Sequence, residues 1–474
     1  MVRLWTRVGT RFLPFADVAT KELPLSRLLR LALFQVSVGM AYALLVGTLN
    51  RVMIVELGVS AWLVALMVAL PLVAAPFRAV IGYRSDIHLS KLGWRRVPYL
   101  WFGSLLQFGG LAIMPFSLLL LTPGADTQPG GPIIGHIAAA LAFVMVGAGM
   151  QTTQTAGLAL ATDQATPETR PRVVALMYVM LLLGMVAAST LFSLVLQSFS
   201  ATRLVGVVQG AALMTMVLNT IALWKQEPRG RPMAKLDDDK PHEPFRVVWR
   251  RFAAQPKTLR FLVAVGLGTA AFNMQDIVLE PYGGAILHLS VAATSLLTAG
   301  LALGSVLAFA LAARRLLRGD DPYRLAATGA LIGVCAFAAV VFAAPLQSGA
   351  VFRFGNFLIG LGGGLFSVST LVVAMGLETS GMAGLALGAW GAVQATASGT
   401  AVALGGALRD GVSWLAQTGW LGQAMSDPSV PYSVVYHLEI ALLFGTLIAI
   451  GPLVRASAAP HSQRQRFGLA EFPG

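Results

Sequence analysis

Apolar residues run along this chain in blocks long enough to cross a bilayer, which takes about 20 residues as a helix. Twelve such blocks are predicted: Leu28 to Glu56, Ser60 to Tyr83, Pro98 to Leu121, Ile133 to Thr162, Val173 to Phe199, Leu204 to Trp224, Leu259 to His288, Val291 to Ala313, Leu325 to Ala344, Val351 to Leu377, Met382 to Leu408 and Val434 to Val454. Between the sixth and seventh, residues 225–258 are too charged and proline-broken to pack a core, and they read as a cytoplasmic linker. The expected organisation is therefore a leader over 1–27, a six-helix half over 28–224, the linker, a second six-helix half over 259–454 and a tail over 455–474. An internal repeat supports the two halves. Leu57-Gly58-Val59-Ser60-Ala61 after the first span matches Leu289-Ser290-Val291-Ala292-Ala293 after the seventh, and Pro98-Tyr99 and Pro322-Tyr323 open spans three and nine. Two repeated halves with a cavity between them is the logic of many secondary transporters.

One block is interrupted by polar residues. In Gly266 to His288, Thr269, Asn273, Asp276 and Glu280 recur at helical spacing and share a predicted face. A lipid-facing carboxylate costs roughly 2.5 kcal/mol or more at mid-membrane, so that face should look into protein or a wet cavity. The residue before a proline is pushed out of helical geometry, which predicts a break at Glu280-Pro281. Aligning the halves on their repeats puts Arg51 within a turn of Glu280, and an ion pair from Arg51 to Glu280 or Asp276 is the expected compensation. The plainer alternative is a solvated Glu280 without a partner. Asp276, about a turn deeper, is the better candidate for carrying a proton. Arg78, Gln151, Gln154, Asn356 and Gln394 could each line the cavity or act as polar glue between helices, and taken singly glue is the better reading.

With 56% hydrophobic and 12% charged residues among 474, the composition is that of an integral membrane protein. The formal charge of +13 does not indicate nucleic-acid binding, because the basic residues crowd into alternate loops. That bias places both termini and the linker in the cytoplasm. Arg3, Arg7 and Arg11 repeat opposite Trp5, Val8, Phe12 and Phe15, which suits a helix lying on the membrane surface or a basic leader that only fixes topology. The single Cys335 excludes an intramolecular disulfide and a cysteine-rich metal site. His136, His288 and His437 fall near span ends without a second ligand at metal spacing; no protein-bound metal site is expected, and each is at most a candidate axial ligand for a pigment. Phosphate-loop, nucleophile-elbow and HExxH signatures are absent, so catalysis is not expected.

The loop after span two, Gly82-Tyr83-Arg84-Ser85-Asp86 and then Gly93-Trp94-Arg95-Arg96, resembles the signature loop of the major facilitator superfamily, with extra residues between the acid and the second glycine. Asp163 at the exit of span four is similar to that superfamily's charge partner. By resemblance Asp86, Arg95, Arg96 and Asp163 would form a cytoplasmic latch between the halves; topology-fixing charges are the alternative. The element Asp276-Ile277-Val278-Leu279-Glu280-Pro281-Tyr282-Gly283-Gly284, with Ala161-Thr162-Asp163-Gln164-Ala165, resembles the PucC/LhaA family of phototrophic bacteria, a branch of the major facilitator fold. The resemblance implies an all-α, twelve-helix membrane protein of the bacterial inner, intracytoplasmic membrane. It implies an assembly factor for light-harvesting antenna complexes, with antenna polypeptides, bacteriochlorophyll or its synthesis machinery and membrane lipids as partners, and bacteriochlorophyll held transiently. Length and the basic leader lean toward the LhaA type, which serves the core antenna. The rival expectation is a proton-coupled transporter of a small solute or tetrapyrrole.

Overall fold

The computed structural model describes residues 24–73, 90, 94–121, 131–166, 169–227, 256–376, 383–422 and 425–457. Most of the leader, of the linker and of the tail, and Asp86 and Arg78, lie outside them. Every regular element among the described residues is helical. The first span is a chain of short pieces, α1 (Leu25–Leu31) and α2 (Leu33–Tyr42), followed by two π-helical segments, Ala43–Leu49 and Val52–Glu56. Then come α3 (Ala61–Val73), α4 (Val97–Leu120), α5 (Gly131–Asp163), α6 (Arg170–Val195) and α7 (Ala201–Leu223). The second half holds α8 (Pro256–Asn273), a 3-10 turn (Met274–Ile277), α9 (Leu279–Ala285), α10 (Val291–Leu317), α11 (Pro322–Ala343), α12 (Gly349–Gly376), α13 (Ala383–Gln417) and α14 (Val430–Ser457).

Ten helical stretches among the described residues are long and apolar enough to cross a membrane, so the protein is multi-pass. Helices α3 and α13 occupy the positions predicted for spans two and eleven. The outer faces carry Phe102, Ile133, Leu213, Phe342 and Ile448 more than half exposed, as suits contact with acyl chains. Trp101, Trp414 and Trp420 are exposed, whereas Trp390 turns inward and donates to Thr370 Oγ1 at 3.3 Å.

The halves meet along two helix pairs, α3 with α13 and α6 with α10. Apolar helices in lipid associate by close packing, which small residues permit. A Cβ at Gly406 would sit 2.7 Å from the Ala61 carbonyl oxygen, and Ala43, Met185 and Ala302 close the other seam. Within the second half Gly304 and Gly360 bring α10 and α12 into backbone contact; a Cβ on either would collide with a carbonyl of the opposite helix. The polar glue is where expected in part: Asn356 donates to the Leu297 carbonyl at 2.7 Å and Gln394 to Ser367 Oγ at 3.2 Å.

The two halves repeat in detail. After the first span the Val59 amide donates to the Met53 carbonyl at 2.8 Å, and after the seventh the Leu289 amide donates to the Gly283 carbonyl at 2.9 Å. Gly58 (φ 66°) and His288 (φ 52°) make the same left-handed turn, and Ser60 and Ser290 each precede the next helix. This equates Ser60 with Ser290, two positions away from the register that the matched Leu57 and Leu289 suggest. Arg51 is then equivalent to Pro281, and Glu280 to Asn50.

Gly360→Ala is expected to destabilise the protein by about 2 kcal/mol, the usual cost of overpacking a tight contact; the thermal unfolding midpoint of purified protein in detergent measures it against wild type.

A broken seventh span and its buried acids

The break in the seventh span lies one turn earlier than proline chemistry alone predicts. Helix α8 ends at Asn273 and tightens into the 3-10 turn 274–277, and Pro281 falls within the first turn of α9, where a missing N–H costs no hydrogen bond. Its symmetry mate is irregular at the same depth, as the π segments of the first span. Such departures from regular helix need neighbours that satisfy the freed backbone. Asn50 supplies this, donating through Nδ2 to the carbonyls of Asp276 at 3.0 Å and Ile277 at 3.2 Å.

The turn splits the predicted polar face. Thr269, Asn273 and Asp276 line a central cavity of about 230 Å³ with Tyr42, Gln275, Gln394 and the rings of Phe272, Phe309 and Phe366. Asn273 donates to the Thr269 carbonyl at 2.7 Å, and Asp276 accepts from Tyr42 Oη at 3.0 Å and from the side-chain amide of Gln275. Glu280 lies outside the cavity. It is 4% exposed and accepts from Thr298 Oγ1 at 2.7 Å, in a space left by Gly47 of the first span, where a Cβ would come within 2.6 Å of Glu280 Oε1.

The expected ion pair from Arg51 to Glu280 or Asp276 is corrected. Arg51 is buried and donates through Nη1 to Glu56 Oε1 at 2.6 Å and through Nη2 to the Leu289 carbonyl at 3.1 Å. The π turn carries Glu56 to within reach of Arg51, at a sequence spacing that a regular helix does not place face to face. The guanidinium still lies across Gly284, a turn from Glu280. Arg51 thus ties the first span to the seventh, though through a backbone carbonyl and not a carboxylate.

The basic end of the bundle holds a different network. Asp163 Oδ2 receives Arg96 Nε at 3.1 Å and Arg95 Nη2 at 3.8 Å. Glu227, just past α7, accepts the backbone N–H groups of Arg95, Arg96 and Val97 at 2.7 to 3.2 Å, capping the positive end of α4. Arg27 and Gln164 join it through the Gln226 carbonyl. Arg95, Arg96, Asp163 and Gln164 belong to the first half, and Arg27, Gln226 and Glu227 to the segments that flank it. The latch drawn from the sequence as a bond between halves is, among the described residues, a clamp within one of them, and Asp86 lies outside the described residues.

The three histidines do not converge. His136 is half-buried on α5, His288 is exposed in the left-handed turn, and His437 is exposed on α14 with Nδ1 2.7 Å from the Ser433 carbonyl. Among the described residues no group of three His, Cys, Asp or Glu side chains could hold a metal ion. Two acids that carry much of this geometry were missed by sequence reasoning: Glu227, whose only signal was its place before Pro228, and Glu439, fully buried in α14 against the broken turn.

A multi-pass helical protein in two halves, meeting along α3–α13 and α6–α10 around a cavity beside a broken seventh span, has the major facilitator fold. Solved structures agree at the level of fold: a bacterial homologue of the iron transporter ferroportin in its inward-facing state (TM-score 0.65, 14% identity, 91% of this chain and 98% of that one) and a mutant of the peptide transporter POT (TM-score 0.65, 14% identity, 93% and 98%). Within that fold the chain belongs to the PucC family: the family described as PUCC protein matches residues 48–458. A protein of Rhodobacter capsulatus described as an uncharacterized protein in the puhA-bchM intergenic region is 53% identical over 99% of each chain. Protein PucC of Rhodovulum sulfidophilum is 55% identical over 85% of this chain and 89% of its own, and Protein PucC of Cereibacter sphaeroides 50% identical over 96% and 97%.

Two outcomes follow from the geometry. A double-mutant cycle between Arg51→Ala and Glu56→Ala should give a coupling of about 1 kcal/mol, larger than the cycle between Arg51→Ala and Glu280→Ala, both read by chemical denaturation in micelles. Thr298→Val should cost about 2 kcal/mol in the same assay, because it leaves the buried Glu280 without its donor.

Proposed function

We propose that this protein is an assembly factor for photosynthetic light-harvesting antenna complexes, acting in the bacterial inner, intracytoplasmic membrane. In this reading it binds antenna polypeptides on its lipid-facing helices and delivers or shields bacteriochlorophyll while they oligomerise, with the core antenna favoured. The observation that carries it is membership of the PucC family, with 50 to 55% identity to proteins named PucC over most of the chain.

The size of the cavity supports a surface role for pigment. At about 230 Å³ it is smaller than the roughly 300–1,000 Å³ of sites that hold drug-sized molecules, and bacteriochlorophyll with its tail is larger still. This cavity is therefore too small for a tetrapyrrole in this conformation. Partner helices would instead meet the exposed apolar faces, and the histidines available there, His288 and His437, sit at the ends of helices rather than in the cavity.

A second reading has its own observation. Asp276 faces a cavity of mixed polar and aromatic lining between residues of both halves, the position from which a carboxyl could carry a proton with a small solute. That transporter would show saturable uptake into vesicles driven by a pH gradient and abolished by Asp276→Asn.

A strain lacking this protein should lose most of the near-infrared absorbance of the antenna it serves and regain it when the wild-type chain is restored. Protein purified from pigmented cells should carry antenna polypeptide or bacteriochlorophyll. An unchanged spectrum together with unpigmented, unaccompanied protein defeats the antenna reading.

A further inference from the structure

Glu439 stands apart from every acid described above. It is 0% exposed, and neither of its carboxyl oxygens has a hydrogen-bond donor. The helix that carries it, α14, packs on the 3-10 turn of the seventh span, which places Glu439 near Gln275 and Asp276. The same turn gathers further unmatched acceptors. Asn50 Oδ1 and Gln275 Oε1 are buried without donors, while the amide nitrogens of both side chains are already committed to Asp276, Ile277 and Phe272. Around this turn, then, these four acceptor atoms lack a donor, as does Glu280 Oε2 on α9, and the carboxyl groups of Asp276 and Glu439 lie in each other's field.

Among the described residues, the nearby cations are held by other partners. Arg51 is engaged by Glu56 and the Leu289 carbonyl, and Arg409 by Asp410 and Tyr432. The other titratable groups facing the site are Tyr42 from the first span, which already donates to Asp276; Glu280 and Tyr282 on α9; and Tyr432 and Tyr436 on α14, of which Tyr436 Oη is itself unpartnered. The part of α3 against the turn carries no titratable side chain. A buried carboxylate with no donor and no counter-ion is among the costliest arrangements a protein can hold. One positive charge removes the deficit, either as a proton on the carboxyl pair or as a hard cation among oxygen ligands.

We propose that the break in the seventh span is a binding site for one small monovalent cation, a proton or a sodium ion, held between the carboxyl groups of Asp276 and Glu439. Asp276 borders the central cavity and Glu439 lies behind it, so the cavity is the entry path and Asp276 the first contact. The bound charge stabilises the packing of α14 and the first span on the broken turn, whichever cargo or partner the protein serves.

The test uses the full-length protein in detergent micelles, with its thermal unfolding midpoint followed along two axes: pH at fixed choline chloride, and sodium replacing choline at fixed pH and ionic strength. A proton site lowers the midpoint as pH rises, because the native state then binds more protons than the unfolded one. A sodium site raises it by several degrees with sodium concentration. Glu439→Gln, which removes the charge and adds a donor, should flatten whichever dependence the wild type shows, whereas Glu56→Gln should keep it. Should Glu439→Gln not fold, infrared difference spectra of wild type between the two ends of the responsive axis decide, since a buried carboxyl band must change. A wild type flat along both axes, an unaltered dependence in Glu439→Gln, or an unchanged carboxyl band overturns the proposal.

Discussion

The constraint from which most of this architecture follows is that a helix broken inside a membrane must have its freed backbone groups and its acids satisfied by other protein. The seventh span breaks at 274–277, and the first span answers it with Asn50 on two of its carbonyls and Tyr42 on its Asp276. To make those contacts the first span is itself wound irregularly, and Arg51 then closes the seam on the Leu289 carbonyl. Two glycines make the approach possible, since Gly47 leaves room for Glu280 and Thr298, and Gly284 leaves room for the guanidinium. The halves are thus held at this end by hydrogen bonds to backbone, which lose their alternatives in a water-free surrounding and are correspondingly specific.

The opposite, basic end is organised on another principle. There the charges gather within the first half, where Asp163 and Glu227 hold the start of α4, and the described contacts between halves are the close-packed seams. Partly exposed ion pairs are weak singly, and a cap by a carboxylate on three N–H groups is a local device that fixes where a helix begins. The two ends of the bundle therefore differ in kind: one joins the halves through polar contacts, the other stiffens one half by itself.

Much of the fold was legible in the hydrophobic pattern. The apolar blocks became helices, because a stretch without water has no other way to pair its backbone; most described ends fall within a few residues of those drawn, whereas α13 continues past Leu408 to Gln417. The family was legible in a short polar element within the seventh span, where each charge in lipid is expensive enough to be informative. Other parts were less so. The break was placed at Glu280 from the proline beside it, but Pro281 is harmless at the start of a helix, and the turn formed where Asn50 could pay for it. The register between halves was misread by two positions because matching letters, Leu57 and Leu289, outweighed the backbone turn that Gly58 and His288 share.

By itself the sequence determined that this is a two-half helical membrane protein with an acidic seventh span, since length, hydropathy and the cost of charge in lipid are properties of single segments. Only the tertiary structure decided which charge meets which. Arg51 found Glu56 through a π turn, Asp163 found Arg96 within its own half, and Glu439, unremarkable in its span, came to rest unpartnered on a helix packed against the turn that holds Asp276. Pairing depends on depth and rotation of helices far apart in the chain, and a shift of two residues turns a side chain to another face of its helix. The polar element that marks the family packs, in three dimensions, on α14, which lies more than a hundred residues away in the chain.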